Sequence, residues 1–400
     1  MSFIFINGTT YDITDFIHLH PGGSVIKFYS NSDATAAFNE FHYRSKYAKK
    51  LLKSLPTLNN TDTCIDFPNN KELLNDFYIL KNKLIEKGFF NPSINHIIKR
   101  CIEICFLFLF SCISFYFNFY TIFSCFLFGL AEGRSGWLMH EAGHYSLTGI
   151  IKTDRNIQFI FYGLGCGMSA SYWRNQHNKH HASPQKINHD VDLDTLPLVA
   201  FHKKIAEKVQ HPIAKLWIKY QAFIFFPFIT TFVVLFWQFY LHPRFSIRTR
   251  NYRELSILAT RLALWYFLST FYSWNLYKSI LIYIAKTVIS ANYIFINFAV
   301  SHTHRDIVPE NEYRDWVTYS AEHTTNCNPS LLCNWWMSYL NFQIEHHLFP
   351  SLPQFRTPLV SPYVKSLFKK HGLKYDSRDY FQCLYDTFNN LHQVSYSKLE

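Results

Sequence analysis

Residues 101–130 contain a single charged side chain, Glu103, in thirty positions. A helix needs about 20 predominantly apolar residues to cross the hydrocarbon core of a bilayer. This stretch exceeds one crossing and its apolar character continues to Met139, so it predicts two membrane helices, at about 97–117 and 119–138. Further apolar blocks of similar length follow at about 218–241, 255–275 and 279–300.

The block at about 218–241 is followed by a short basic segment that contains Arg244, Arg248, Arg250 and Arg253. Short loops rich in arginine prefer the cytosolic face of a membrane. We therefore expect this block to lie in the interface or to re-enter, although Arg261 weakens the case for a crossing at 255–275. Four crossings would return every polar segment and both termini to the cytosol.

The composition favours a membrane protein over a nucleic-acid-binding one. Hydrophobic residues make up 48% of the chain and aromatic residues 19%, while the formal charge of +11 is spread around the apolar blocks rather than gathered in one basic run. Anionic lipid is the expected partner, and nucleic acid is not. The first twenty residues lack the basic-then-apolar order of a signal peptide, which favours a cytosolic N-terminus.

Seven of the 20 histidines fall into three clusters. Residues i, i+3 and i+4 of a helix share one face, so the spacings in "HEAGH" and "HNKHH" can aim their rings at a common point. The third cluster lies in "QIEHH", between apolar flanks. The clustered residues are His140, His144, His177, His180, His181, His346 and His347.

These clusters predict a site for two metal ions. Buried imidazoles this close together would repel one another when protonated, and a bound metal ion stabilises the neutral rings. Seven nitrogens exceed the four positions of one zinc ion. Because no cysteine thiolate accompanies them, the pattern favours two iron ions that activate oxygen, although the divalent affinity order does not exclude zinc.

A zinc protease is an alternative, because "HEAGH" also matches the pattern HExxH. That interpretation gives no role to "HNKHH" or "EHH", so we rank it well behind the first.

The neighbouring residues offer further ligands and hydrogen-bond partners. The last apolar block ends in "NFAVSHTH", which offers His302 or His304 as an eighth ligand, and we prefer His302. Glu141 and Glu345 could accept the free N–H groups of ligand rings. The carboxylates of "NHDVDLDTLP" could do the same or receive an electron donor, and a polar loop with Asx turns explains them equally well.

The N-terminal segment contains a candidate heme site. Asn7 and Gly8 form a strong turn signal between two short strand-like runs, which predicts a small α+β domain. "HLHPGG" and "DATAAFNEFH" then supply His20 and His42 as two axial ligands. Such an iron has no open position and passes electrons. The expected pocket walls are Phe16, Val25, Ile26, Phe28, Phe38 and Phe41.

Taken together, these motifs resemble the front-end fatty-acyl desaturases, membrane di-iron enzymes fused to an N-terminal cytochrome b5 domain. The likeness spans nearly all 400 residues and rests on "HPGG", "DATAAFNEFH", "HEAGH", "HNKHHASPQKINHDVDLDTLP", "YRDW" and "NWWMSYLNFQIEHHLFPSLPQF". That family opens its third histidine box with glutamine, here Gln343. The resemblance implies that the seven clustered histidines hold two non-heme iron ions, with His302 a further candidate, and that His20 and His42 hold heme b.

The implied architecture is an α+β heme domain joined to an all-α membrane domain with about four transmembrane helices and a cytosolic histidine-rich di-iron cap. We place the cytochrome b5-like domain at 1–55, a linker and amphipathic helix at 56–96, and the desaturase domain at 97–400. The expected location is the endoplasmic reticulum membrane, with the metal site on the cytosolic face.

The implied reaction inserts a cis double bond between the carboxyl end and an existing double bond of a polyunsaturated acyl chain, carried on CoA or a phospholipid. The position Δ6 or Δ5 is favoured. Oxygen is the oxidant, and electrons come from NADH through a separate cytochrome b5 reductase and the fused heme. A sphingolipid long-chain-base desaturase, a membrane lipid hydroxylase and a non-catalytic heme-bearing redox or metal-transport protein remain alternatives.

Overall fold

The computed structural model describes residues 2–58, 70–117 and 119–396. The predicted linker at the start of 56–96 lies largely outside these ranges, as does Cys64. All eight cysteines in the described part of the chain are free thiols, in agreement with their scattered spacing.

A small α+β domain forms the N-terminus, as predicted. Its four-stranded sheet has the order β3-β1-β2-β4, with β1 parallel to β3 and antiparallel to β2. Asn7 and Gly8 both have positive φ, 49° and 87°, which is the type I′ geometry that suits a two-residue hairpin. The elements are β1 (Phe3–Ile6), β2 (Thr9–Asp12), β3 (Ser32–Asp33), α1 (Thr35–Phe41), α2 (Lys46–Leu52) and β4 (Thr57–Leu58).

Helix α3, Lys71–Glu86, confirms the predicted charged helix and packs against the C-terminal part of the chain. Its apolar face buries Leu73, Phe77 and Leu84 completely. The ring of Phe77 stacks on Phe349 at 5.3 Å between centroids. The helix therefore anchors the N-terminal half of the chain to the histidine-rich region.

Four long helices correspond to the predicted apolar segments: α4 (Ile94–Tyr116), α5 (Thr121–Gly143), α13 (Tyr252–Phe271) and α14 (Leu276–His302). Helix α5 lies at the centre and packs on both α4 and α14. By length and composition, α14 is the one helix within the described ranges that is apolar enough to span a membrane.

The remaining apolar block, about 218–241, is interrupted at Phe226, and the chain after this break is helical from Thr230 to Arg248. Phe226 is extended, with φ −107° and ψ 127°, because it precedes Pro227, and a proline disfavours the helical conformation of the residue before it. The short helices of this region are α10 (Gln221–Ile224), α11 (Thr230–Phe236) and α12 (His242–Arg248).

The other helices form a cap over one end of the long helices. A short parallel pair, β5 (Asn326–Cys327) with β6 (Ser377–Arg378), ties two cap segments together. The cap helices are α6 (Ile151–Ile160), α7 (Ala170–Ala182), α8 (Lys203–Ala206), α9 (Pro212–Lys219), α15 (Trp316–Glu322), α16 (Leu331–Trp336), α17 (Gln343–Leu348), α18 (Thr357–Lys370) and α19 (Tyr380–Tyr396).

Helices α5 and α14 approach closely at Gly133, which gives a test of the packing. A Cβ atom there would lie 2.2 Å from the Tyr293 ring, whereas the nearest atom to one at Gly136 is the terminal methyl of Ile294, at 3.0 Å. We expect Gly133→Ala to cost about 1–3 kcal/mol through overpacking and to lower the melting temperature in detergent. Gly136→Ala is the matched control, and equal melting temperatures for the two variants would contradict this packing.

Candidate metal and heme centres

Eight buried or half-buried histidines from four helices converge in the cap. His140 lies in the last turn of α5 and His144 follows it, while the second cluster lies on α7, the third on α17, and His302 ends α14. Within each group the potential ligand atoms lie within 4.8 Å of one another. One group contains His140, His144, His177, His181 and His346, and the other contains His180, His302 and His347.

A glycine at the end of α5 allows the first two clusters to meet. A Cβ atom at Gly143 would lie 2.3 Å from the Trp173 ring, so only glycine lets α7 approach this closely. The approach places the rings of His140 and His177 4.7 Å apart. Trp173 also stacks on His177 at 4.2 Å, which fixes the plane of that imidazole.

The five-histidine group has the spacing of ligands around one ion. His181 Nε2 lies 3.1 Å from His177 Nε2 and 3.1 Å from His346 Nε2. Two adjacent nitrogens bound to one metal at about 2.1 Å lie about 3 Å apart. In addition, His140 Nε2, His144 Nε2 and His347 Nε2 are buried without a hydrogen-bond partner. Buried unpaired nitrogens are costly, so these residues fit a metal at each group.

Hydrogen bonds to the other ring nitrogens orient the three-histidine group. His180 Nδ1 donates to Asp190 at 3.1 Å, and His302 Nδ1 donates to the carbonyl of His323 at 3.0 Å. Each bond leaves Nε2 to face the group, which is the usual arrangement around a metal-binding histidine. The Gln343 amide lies 3.1 Å from His302 Nε2, and its Oε1 atom is buried and unpartnered.

Burial keeps most of these rings uncharged. It lowers the pKa of His144 to about 3 and the pKa values of His346 and His347 well below the usual range, with neighbouring imidazoles adding to the effect. Burial also opposes charge on His180, but the carboxylates of Asp190 and Asp192 outweigh it and raise the pKa of His180 to about 9.

Of the two candidates for an eighth ligand, the preferred His302 joins the three-histidine group, and His304 lies outside both groups, with Nε2 3.2 Å from the Thr325 hydroxyl. The expected pairing of Glu141 and Glu345 with ligand rings is wrong. Glu141 binds His96 and the backbone N–H of Gln354, which also removes it from the role of a protease base.

Glu345 instead forms part of the scaffold below α17. It accepts hydrogen bonds from the Tyr375 hydroxyl at 2.6 Å and the Asn326 amide at 2.8 Å, and burial raises its pKa. Asn326 Oδ1 in turn accepts the backbone N–H of Ile344. These contacts couple β5 to the third histidine cluster.

Sequence reasoning missed the residue that orients His140. The Gln354 amide lies 2.9 Å from His140 Nδ1, across 214 positions of sequence. Its position shortly after "EHH", in "LPQF", is the one signal that could have suggested it.

The heme candidates face each other across a cleft in the N-terminal domain. The ring centroids of His20 and His42 lie 6.2 Å apart. Two iron–nitrogen bonds of about 2 Å plus the two ring radii require roughly 6 Å, so the pair fits a six-coordinate heme iron. His20 Nδ1 donates to the carbonyl of Gly23 at 3.0 Å, which leaves Nε2 for the iron.

Apolar side chains line the cleft, as expected for five of the six predicted wall residues, namely Phe16, Val25, Ile26, Phe38 and Phe41. Phe28 was wrongly placed among them. It packs on His189 instead, at 4.4 Å between ring centroids.

Comparison with known proteins supports both halves of this arrangement. Residues 117–379 match the fatty acid desaturase family, and residues 1–79 match the cytochrome b5-like heme/steroid binding domain. The chain is 50% identical to an acyl-lipid (8-3)-desaturase of Rebecca salina, over 98% of this chain and 91% of the relative. It is 42% identical to an acyl-lipid (8-3)-desaturase of Thraustochytrium sp, over 98% and 92%.

The more distant fatty acid desaturase 3 of Homo sapiens is 28% identical over 96% of this chain and 88% of the relative. The chain therefore belongs to the fatty acid desaturase family and combines a desaturase domain with an N-terminal cytochrome b5 domain. It is an oxidoreductase whose cofactors are heme and a non-heme di-iron centre.

Asp190 provides a test of how the three-histidine group, which contains His180, is oriented. Asp190→Asn removes the negative charge beside His180, and its single side-chain oxygen can keep one of the two loop hydrogen bonds, from the N–H of Gln185 or of Asp192. We expect iron affinity to fall by about 10–100-fold, the usual effect of losing such a partner. The exposed Asp194 in the same loop gives the control, Asp194→Asn. Iron content and competition with a chelator measure the effect, and equal affinities for the two variants would refute it.

Proposed function

We propose that this protein is a front-end desaturase, which inserts a cis double bond between the carboxyl end and an existing double bond of a polyunsaturated acyl chain. The observation that carries the proposal is the convergence of two facing histidine groups, rich in unpartnered nitrogens, at one end of the long helices. The relatives at 50% and 42% identity are named as desaturases of acyl lipids.

Histidine ligands are assigned from this geometry. His140, His144, His177, His181 and His346 hold one iron, and His180, His302 and His347 hold the other. Once bound, the irons supply oxygen activation and the removal of two hydrogens from an unactivated methylene pair. The protein orients the rings through Gln354, Asp190 and the His323 carbonyl, and keeps bulk water from the buried cap.

The four long helices are proposed to cross the membrane. Each presents large apolar side chains to its surroundings, for example Phe106 on α4, Phe126 on α5, Phe267 on α13 and Leu281 on α14. Contiguous exposed apolar surface of this extent is a sign of contact with lipid. The arginine-rich segment from Arg244 to Arg253, in α12 and at the start of α13, favours a cytosolic cap and both termini in the cytosol. The membrane we propose is that of the endoplasmic reticulum.

The proposed electron route runs from NADH through a separate cytochrome b5 reductase to the fused heme, and then to the irons. The N-terminal domain supports this route because it packs directly on α7, the helix of the second cluster. The Tyr29 hydroxyl donates to the Ala182 carbonyl at 3.0 Å. We divide the chain into a cytochrome b5-like domain at 1–55, a linker and helix at 56–96 and a desaturase domain at 97–400.

For the position of the new bond we keep Δ5 and Δ6 as the candidates. If the "8" and "3" in the relatives' names are a bond position and a step toward the carboxyl end, the new bond falls at carbon 5, which favours Δ5. The same names favour an acyl-lipid carrier over acyl-CoA.

A product analysis tests the activity directly. The full chain is expressed in a host that lacks polyunsaturated lipids, which is then supplied with a panel of unsaturated acyl substrates. We expect a new double bond on the carboxyl side of an existing one, located by mass spectrometry. Hydroxylated chains would instead identify a hydroxylase, and a product formed only on a sphingoid base would identify the long-chain-base alternative. Either result would overturn the proposal.

Two alanine variants separate the metal centres. His346→Ala is expected to abolish product and reduce bound iron while the heme absorption spectrum stays unchanged. His42→Ala should have the opposite cofactor pattern, with heme lost and iron retained, because the two sites share no ligand. His371→Ala, on the far side of the cap where His371 binds Asp76, is the control and should retain both cofactors. Retained desaturation in His346→Ala would refute the ligand assignment.

A further inference from the structure

The heme cleft does not end within the N-terminal domain. It forms one cavity of about 860 Å³ that begins between His20 and His42 and continues to the surface of the desaturase domain. Residues near the end of α5, among them His144, line its far side, together with α6, α7 and the loop after α12. One wall of the heme site is therefore supplied by the domain that holds the iron ligands.

The two sides of this cavity differ in charge. Among the described residues that line the N-terminal side there is no lysine or arginine, and the carboxylate there, Glu40, is already paired with Lys81 at 2.6 Å. On the desaturase side, the charged residues that line the cavity are Arg155, Arg174 and Arg250, without an aspartate or glutamate among them. Among the side chains that line the cavity, an anion would thus find its positively charged partners on the desaturase domain.

Heme b carries such anions, because its two propionate groups are carboxylates at one edge of the macrocycle. The apolar wall around Phe16, Val25 and Phe38 suits the macrocycle and cannot solvate a carboxylate. We propose that the heme propionates point out of the N-terminal domain and are bound by Arg155, Arg174 and Arg250 of the desaturase domain. Guanidinium groups match carboxylates in geometry as well as in charge.

The surroundings of Arg174 strengthen this assignment. Arg174 lies on α7 next to Asn175, whose Oδ1 atom is buried without a partner and would lie 3.2 Å from a Cβ atom at Gly23, in the heme-ligand loop. Arg174 already donates to Gln158 Oε1, and Arg155 donates to the Tyr145 hydroxyl at 3.1 Å. These contacts hold the two guanidinium groups at the cavity wall before any heme binds.

This placement of the propionates rests on the proposed function. It also extends that function, because it turns the propionate edge of the heme toward α7. That helix also carries His177, His180 and His181. Arg174 precedes His177 by three positions, about one turn. The cation that binds a propionate and a ligand of the iron thus share one face of one helix.

Heme retention tests the proposal without reference to desaturation. The full-length protein in detergent is loaded with heme, and the rate of heme transfer to an excess of apomyoglobin is measured. We expect Arg174→Gln, Arg155→Gln and Arg250→Gln each to accelerate heme loss by about two- to fivefold, the range for a partly exposed ion pair, and the triple variant to show a larger effect. Arg248→Gln is the matched control, because Arg248 is exposed in the same segment but does not line the cavity.

Heme dimethyl ester, whose propionates are uncharged, provides the decisive comparison. If the arginines act on the propionates, the variants and the wild type lose the ester at equal rates, and Arg174→Lys restores slow loss of native heme. If the variants lose heme and ester with the same acceleration, the arginines stabilise the domain contact instead, and the proposal is refuted. Unchanged loss of native heme would also refute it. The rate of heme loss can be measured whether or not the protein forms a desaturated product. A failure of the heme proposal can therefore be distinguished from a failure of the proposed function.

Discussion

The burial of eight imidazoles in one cap is the constraint on which the rest of the structure depends. Neighbouring positive charges in a desolvated site are costly, and burial accordingly holds the pKa values of His181, His346 and His347 well below the usual range. Neutral rings bring the Nε2 atom of His181 to 3.1 Å from the Nε2 atoms of His177 and His346, so each nitrogen can offer a lone pair to the same point. Only a bound cation satisfies several lone pairs at once, so the cap is stable as a ligand set rather than as an ordinary core.

Ring orientation in this cap is set from far away in sequence. Gln354 reaches His140 across 214 positions, and Glu141 is held by His96 across 45. Local spacing could therefore predict which histidines share a face, since i, i+3 and i+4 are fixed by the helix. It could not predict the partners of Glu141 and Glu345, because these depend on how separate helices pack. His302, the candidate preferred from the sequence, does join His180 and His347, whereas His304 lies outside both groups.

For the fold as well, elements that depend on local sequence were predictable, and contacts between distant segments were not. Long apolar runs marked α4, α5, α13 and α14, and the Asn7-Gly8 signal marked the hairpin, because both depend on local physics. The interdomain cavity was not predictable, since it joins residues near position 20 to residues near 174 and 250. Short-range predictions can fail for the same reason. Phe28 was predicted to line the heme pocket, but its ring packs on His189 of the desaturase domain.

Charges within the long helices explain why, in the part of the chain that the structure describes, α14 is the one helix with the composition of a membrane span. Glu132 on α5 accepts hydrogen bonds from Arg261 on α13 and from Lys286 on α14, the latter at 2.7 Å.

Lys286 is fully buried, and its ammonium also lies 3.8 Å from the centre of the Tyr283 ring. Each of these charges lowers the mean hydropathy of its own helix. Charges that pair between helices are nevertheless buried in the protein and do not contact lipid. The proposed four crossings therefore depend on this interhelical pairing, which turns the charges inward and leaves the apolar faces outside.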